Sequence, residues 1–404
     1  MAALLPFRAL RPTPASAARV AAVPYDVVNT DEARALARDQ PLSFLHVSRA
    51  EIDLPPATNP YSDAVYAKAV ENFDTLKRQA PLVTEEAPAL YVYRLRTGAH
   101  DQMGVAACFA LAEYEQGVIR KHEHTRADKE DDRTRHLLAL RAQTGPVFLT
   151  YRASAAVDAI VERTIGEAPL FDFTASDGVQ HVVWKVNSRD QQALVAAFAP
   201  IPALYIADGH HRAASAARAR QQLAAAGAAK ESDAFVAVAF PHNQVQVLPY
   251  NRIVKDLGRF TPDSLLAELA EKFTITDGPA APWQRGEVGM FLAGRWRTLH
   301  LGDPPAGLTP ADRLDVSRLQ DAVLAPLLGI GDVRSDKRID FVGGARGTEQ
   351  LERLVRSGQA AIAFSLFPVS VGDLMDVCDA GGIMPPKSTW FEPKLRDGLL
   401  SHVI

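Results

Sequence analysis

A chain of 404 residues has room for about two to three domains. Its composition, 47% hydrophobic and 23% charged, is that of a globular protein with a sizeable core. A formal net charge of −4 argues against a broad electrostatic footprint for nucleic acid, and no run approaches the ~18 uncharged apolar residues of a membrane span. In chain order, Arg8 and Arg11 follow only a brief apolar run, which is unlike a signal peptide, so a cytoplasmic protein is expected. Asn29 with Glu32 three residues later predicts a capped helix start. Residues 61–79 keep Val65, Tyr66, Ala69, Val70, Phe73 and Leu76 on one face, the period of an amphipathic helix. Paired strands are predicted at 90–95 and 104–111, with Gly98, His100 and Asp101 in the turn.

A charged block, 122–135, leads into a helix through Leu140. Strands are expected at 147–151 and 180–186, then a helix to Phe198 opened by Ser188 with Gln191 as its capping-box partner. The apolar run 202–206 precedes an Ala-rich helix, 213–230, and strands at 235–240 and 245–254. Thr261-Pro262 starts a further helix, with proline suited to the first helical position. A hairpin across Ala293-Gly294 is expected within 290–301, helices at 315–328 and 349–356, and a strand at 361–367. Strands and helices mix without strict alternation, which predicts an α/β or α+β protein with mixed sheets and flanking helices. Three regions are drawn: 1–150, 151–260 and 261–404. Cys108 and Cys378 lie outside any C-x-x-C pair, so two buried thiols in a reducing compartment are the plain reading.

The densest chemical signal is Ala207-Asp208-Gly209-His210-His211-Arg212. Strand, Gly turn and helix aim unpaired backbone N–H groups at an anion. Arg212 can add bidentate hydrogen bonds to a phosphate, and His210 and His211 can donate to it, bind a metal or shuttle protons. Asp208 is the one residue a pure phosphate cradle would not want, and it turns the reading from binding towards catalysis or a metal. The plain alternative is a polar helix start with Asp208 as its N-cap. A second cluster spans Arg120 to Arg126, where His122 and His124 share one side of an extended segment and Glu123 faces the other. A solvated loop with an acidic first helical turn explains it equally well. Lys387, Ser388 and Thr389 can hold an anion between Trp390 and Phe391, although no Gly-x-x-x-x-Gly-Lys loop is present. Tyr25 and Asp26, after Pro24, and Tyr250 to Arg252, after Pro249, can line a pocket, while turn chemistry alone also accounts for them.

Pro24-Tyr25-Asp26-Val27, His122-Glu123-His124-Thr125, Ala207 to Arg212 and Met384-Pro385-Pro386-Lys387-Ser388-Thr389 together resemble a conserved bacterial and archaeal family catalogued as a domain of unknown function (1015). Asp208-Gly209-His210-His211-Arg212 is also similar to the Asp-Gly-His-x-Arg motif of free serine kinases in the ParB–sulfiredoxin superfamily. That likeness implies a strand–Gly turn–helix phosphate site, with Gly209, His210 and Arg212 near phosphate and Asp208 near the transferred group or its Mg²⁺. The kinases' separate catalytic Glu has no motif match; Glu123 is the candidate from local composition. The resulting expectation is a small-molecule kinase using a nucleotide or pyrophosphate and acting on a hydroxylated metabolite such as free serine. Asp208, Glu123 and His210 are its candidate catalytic residues, with Asp208 as metal ligand. Gly209, His210, His211, Arg212, Arg126, Lys387 and Ser388 are candidates for phosphate or nucleotide, and His122, His124, Asp26 and Tyr25 for the pocket wall. Two other readings are a nucleotide-binding switch without turnover and a metal-dependent hydrolase built on His122, His124, Asp208, His210 and His211. No nucleic-acid or membrane partner is expected, and the oligomeric state is left open.

Overall fold

The computed structural model describes residues 2–80, 82–225 and 230–404. The chain divides into two compact units, one of residues 1–121, 125–245 and 393–404, the other of 122–124 and 246–392. A boundary at 150 would cut the strand Val147–Tyr151 of the first unit. Neighbouring strands there come from distant parts of the chain, so composition along the sequence carries no mark of the division.

The first unit holds a mixed eight-stranded sheet. Its spatial order is Ile119–Arg120, Leu204–Asp208, Val147–Tyr151, Ala234–Pro241, His100–Ala110, Tyr91–Thr97, Gln180–Lys185 and Phe171–Thr174. Val147–Tyr151 and Ala234–Pro241 are buried at every position, which is why they read as near-continuous apolar runs rather than alternating ones. Phe109, Leu149, Phe198, Leu204 and Phe235 pack in one core cluster against this sheet. The turn after Tyr91–Thr97 is tighter than expected: His100 already pairs with Thr97 and Asp101 with Arg96.

A second cluster gathers Val20 and Phe44 with Val65, Phe73 and Leu76 from the apolar face of the helix Asp63–Gln79. Asn29 and Glu32 form the expected capping box. The helix Ser188–Phe198 is capped differently: Asn187, not Ser188, accepts the Asp190 N–H, at 2.9 Å. Asn is as good a cap as Ser and stands one residue earlier, so the frame shifts by one. In a small sheet, Ser401–Val403 lies between Ala9–Arg11 and Ala142–Gln143, which stitches residues 393–404 into this unit.

The strand Leu204–Asp208 runs parallel to Ile119–Arg120 and antiparallel to Val147–Tyr151, with an irregularity between Ile206 and Asp208. Gly209 follows at φ +96, a conformation other residues avoid, and the helix His210–Ala225 begins. Ala213, Ala214, Ser215, Ala216, Ala217 and Ala219 are buried, and these small side chains allow close approach to the helix Ala127–Leu140. Ser215 Oγ donates to the Glu130 carbonyl of that helix at 3.2 Å. Residues 226–229 of the expected Ala-rich helix lie outside the described residues, and Lys230 opens a separate short 3₁₀ turn.

The second unit is built on a six-stranded antiparallel sheet. Its order is Thr274–Asp277, Arg295–His300, Glu287–Leu292, Ile362–Leu366, Tyr250–Val254 and Ile339–Gly343. The hairpin turns at Ala293 and Gly294, both at positive φ. The strand expected at 245–254 is broken at Pro249, which has no N–H for a ladder. Its first part, Gln246–Leu248, pairs with Trp390–Glu392 instead. Thr261 caps the helix Pro262–Ala270 with proline at its start, as expected. The helix expected at 315–328 is a short α-turn, Asp315–Leu319, continuing into a wider π-turn, Gln320–Leu324. Among the described residues no helix is long and apolar enough to cross a membrane.

Candidate functional site

The candidate site is built at the mouth of the helix His210–Ala225, within the first unit. Gly209 occupies the cap position: its carbonyl accepts the Ala213 N–H at 3.1 Å. Asp208 is therefore the last strand residue and not the N-cap, and its Oδ1 accepts the Gly209 N–H at 3.0 Å. Its Oδ2 lies 3.4 Å from Lys394 Nζ and 3.7 Å from Arg212 Nη2. Arg212 folds back across the turn, where a Cβ on Gly209 would stand 3.5 Å from its Cζ and Nε. Arg212 Nη1 donates to the Pro146 carbonyl at 2.6 Å, and Nη2 is 3.7 Å from Asp26 Oδ2. Burial would raise the Asp208 carboxyl, but Lys394, Arg212 and His210 overcome it and hold the group well below the usual carboxylate range. Burial likewise opposes the charge on Arg212, and Asp26, Asp208 and Asp397 outweigh it, so the guanidinium stays cationic.

Behind Arg212 the environment reverses. Asp397 is 3% exposed, and a Cβ on Gly145 would collide with its carboxyl. Burial pushes this carboxyl up to about 7; Arg212 pulls it down, Asp26 raises it, and Arg133 and Arg396 lower it. Tyr25 is buried beneath the Arg133 guanidinium, 4.1 Å from its ring centroid, and burial with the nearby Asp26 charge keeps its hydroxyl protonated. Arg133 is paired with Asp132 at 2.7 Å, and Asp132 also accepts the Tyr66 hydroxyl at 2.8 Å. His136 is held neutral by burial and by the Arg133 charge, which lower it to about 4; its Nε2 donates to the Val47 carbonyl at 3.0 Å.

Tyr25, Asp26, Asp208, Gly209, His210 and Arg212 thus meet in one unit, and His210 is buried there as the first helical residue. His211 Nε2 accepts the Arg126 N–H at 3.1 Å, while the Arg126 guanidinium is taken by Asp128 of its own helix at 2.8 Å. His122, Glu123, His124, Lys387 and Ser388 belong to the second unit. There His122 is buried with Nε2 3.2 Å from Thr389 Oγ1, Glu123 is half-buried and His124 exposed. Lys387 adopts φ +57 with its Nζ 5.4 Å above the Tyr250 ring, and Ser388 Oγ donates to the Pro385 carbonyl at 2.5 Å. Arg252, buried beside this turn, donates to the carbonyls of Tyr250 and Pro386. Sequence reasoning missed Lys394 and Asp397. Lys394 lies three residues past Phe391, outside the segment read as anion-binding, and Asp397 had no signal beyond a turn before Gly398.

Backbone N–H groups at a helix start, Arg212 and Lys394 bring together the donors and positive charge that an anion site requires. The arrangement is a poor place for Mg²⁺. Both Asp208 oxygens already face donors, and two of the three neighbouring groups are cations that would repel the ion.

No curated protein matches this sequence. Among solved structures, a free serine kinase in complex with AMP is similar at 14% identity over 72% of this chain and 91% of that one, with a TM-score of 0.37. A conserved hypothetical protein from Pyrococcus furiosus is similar at 15% identity over 74% and 94%, with a TM-score of 0.36. C-terminally truncated SbnI from Staphylococcus aureus is similar at 11% identity over 72% and 85%, with a TM-score of 0.37. The family described as "Protein of unknown function (DUF1015)" matches residues 4–317, a stretch that includes Asp208 to Arg212 and ends before Lys387 and Lys394, and the chain belongs to that family.

Proposed function

We propose that the first unit is a phosphotransferase, moving a phosphoryl group from a nucleotide or pyrophosphate to the hydroxyl of a small metabolite. The observation that carries this reading is the meeting of Arg212, Lys394 and an ionised Asp208 at the start of one helix. Phosphoryl transfer asks a protein chiefly for positioning and charge stabilisation, because its transition state is loose. In this reading the N–H groups after Gly209, with Arg212 and Lys394, hold the donor's phosphate oxygens. Asp208 is too acidic to be an effective proton acceptor. Its role is to accept a hydrogen bond from the acceptor hydroxyl and aim that oxygen at phosphorus. As the new O–P bond forms, the donor's O–P bond breaks, its phosphate leaves as the anion, and the hydroxyl proton passes to an oxygen of the transferred phosphoryl group. Charge neutralisation rests on the chain's own cations, and no step is assigned to Mg²⁺. Free serine is the first acceptor to test, on the likeness of Asp208–Arg212 to the motif of free serine kinases.

The test follows phosphorus NMR of the protein with ATP, ADP or pyrophosphate, with and without Mg²⁺, across hydroxylated amino acids and hydroxy acids. A phosphorylated product is expected. Asp208→Asn should lose about 10²-fold or more of that turnover and bind ATP as well as or better than the parent, since it removes a negative charge from the cradle. Absence of product with every donor and acceptor would falsify the reading. ATP binding that persists without turnover would then favour the nucleotide-gated switch.

A further inference from the structure

Arg212 also lines a cavity of roughly 60 Å³ within the first unit. Tyr25, Ser48, Arg133, His136, Arg212 and Asp397 are among its polar lining residues. Leu137, Ala142, Val147 and Phe235 are among its apolar ones. We propose that this cavity is a binding site for a short-chain carboxylate, its oxygens on Arg212 and Ser48 and its carbons against the apolar wall.

Three observations carry the assignment. First, Nε and Nη2 of Arg212 are buried and make no hydrogen bond, the two Asp oxygens near Nη2 lying beyond reach at 3.7 Å. The Nε–Nη2 edge is one that pairs side-on with a carboxylate. Nη1 is fixed on the Pro146 carbonyl, which holds the guanidinium in place. Second, Ser48 is 4% exposed and its Oγ also has no partner. A buried polar group without a partner is unfavourable, and a ligand oxygen would relieve it. Third, the size and the mixed polar and apolar lining agree. At about 10–15 Å³ of probe-occupied volume per water, the space holds about four to six non-hydrogen atoms. Orthophosphate is small enough but would turn oxygens onto Leu137, Val147 and Phe235.

Arg133 is committed to Asp132 and to the Tyr25 ring, which leaves Arg212 as the ligand-facing cation. Asp397, faced by Arg212, Asp26, Arg133 and Arg396, is poised to keep its proton beside a second carboxylate. Binding then takes up a proton and weakens as pH rises above about 7.

Calorimetry on the full chain tests this with acetate, glycolate, lactate and orthophosphate titrated separately, at about pH 6.5 and pH 8.5. A saturable carboxylate isotherm, stronger at the lower pH and accompanied by proton uptake, is expected. Ser48→Val should weaken it by about tenfold or more, and Ala142→Val, which narrows the cavity from the apolar side, should do the same should the first variant unfold. ATP is titrated in parallel and should bind the Ser48→Val chain as it binds the parent. Orthophosphate binding in preference to every carboxylate, no saturable carboxylate binding, or unchanged binding to both folded variants overturns the assignment. Carboxylate binding without ATP binding leaves it standing and removes the phosphotransferase reading instead.

Discussion

Asp208 and Asp397 bring the same carboxyl group into opposite surroundings on the two sides of Arg212. Asp208 gains Lys394, Arg212 and His210 and stays ionised; Asp397 is buried and drifts up to about 7. Between about pH 4 and 7 the folded chain keeps a proton on Asp397 that the unfolded chain has lost, so this group costs stability as pH rises through that window. His136, lowered to about 4, acts in the other direction: between about pH 4 and 6.5 the unfolded chain takes a proton that the buried ring refuses, and stability rises with pH. The two slopes offset each other in the parent. Asp397→Asn should expose the His136 slope, a stability that climbs from about pH 4 to 6.5 in urea unfolding; a flat profile in that variant would contradict the assignment. Lys394→Met should weaken ATP binding by about tenfold, the loss of one charge-assisted contact, as measured by calorimetry. Of these residues only Asp208 was legible in the sequence, because two His, an Arg and a carboxylate within five positions stand out anywhere. Lys394 and Asp397 gain their meaning from neighbours some two to four hundred residues away, which no local pattern records.

At the scale of elements, the strand–Gly–helix unit was legible because each part has a local cause. The apolar run 204–207 makes a strand, Gly209 permits the turn, and alanines sustain the helix. Gly209→Ala should cost about 1–3 kcal/mol in chemical unfolding, since φ +96 suits only glycine, and should crowd the Arg212 guanidinium as well. The long helix Asp63–Gln79 and the hairpin at Ala293-Gly294 were equally readable from period and turn residues. Two-residue strands were not. Ile119–Arg120 and Ala142–Gln143 are too short to show an alternation, yet the first flanks the strand that ends in Asp208 and the second helps to wall the cavity.

For the whole molecule, the mixed α/β class followed from the pattern of elements, but the division into units did not. The second unit is an insertion, after which residues 393–404 return to the first. Nothing in composition distinguishes a chain that leaves from one that comes back. A chain ending at Glu392 should bind ATP more weakly by about tenfold or more, since Lys394 is gone, and its first unit should be cut early in limited proteolysis because Ala9–Arg11 and Ala142–Gln143 lose the strand between them. Protection from protease equal to that of the full chain would show that the returning segment is dispensable to the fold.

That returning segment also orders events in time. A ribosome makes residues 393–404 only after the whole of 246–392, so a nascent chain carries the Asp208 turn long before Lys394 exists to face it. Pairing Ser401–Val403 with Ala9–Arg11 closes a very long loop, and contacts so distant in sequence form slowly. Messages cut short within the insertion therefore yield proteins with a helix mouth that lacks its lysine, and synthesis itself withholds the completed site until the insertion has been translated.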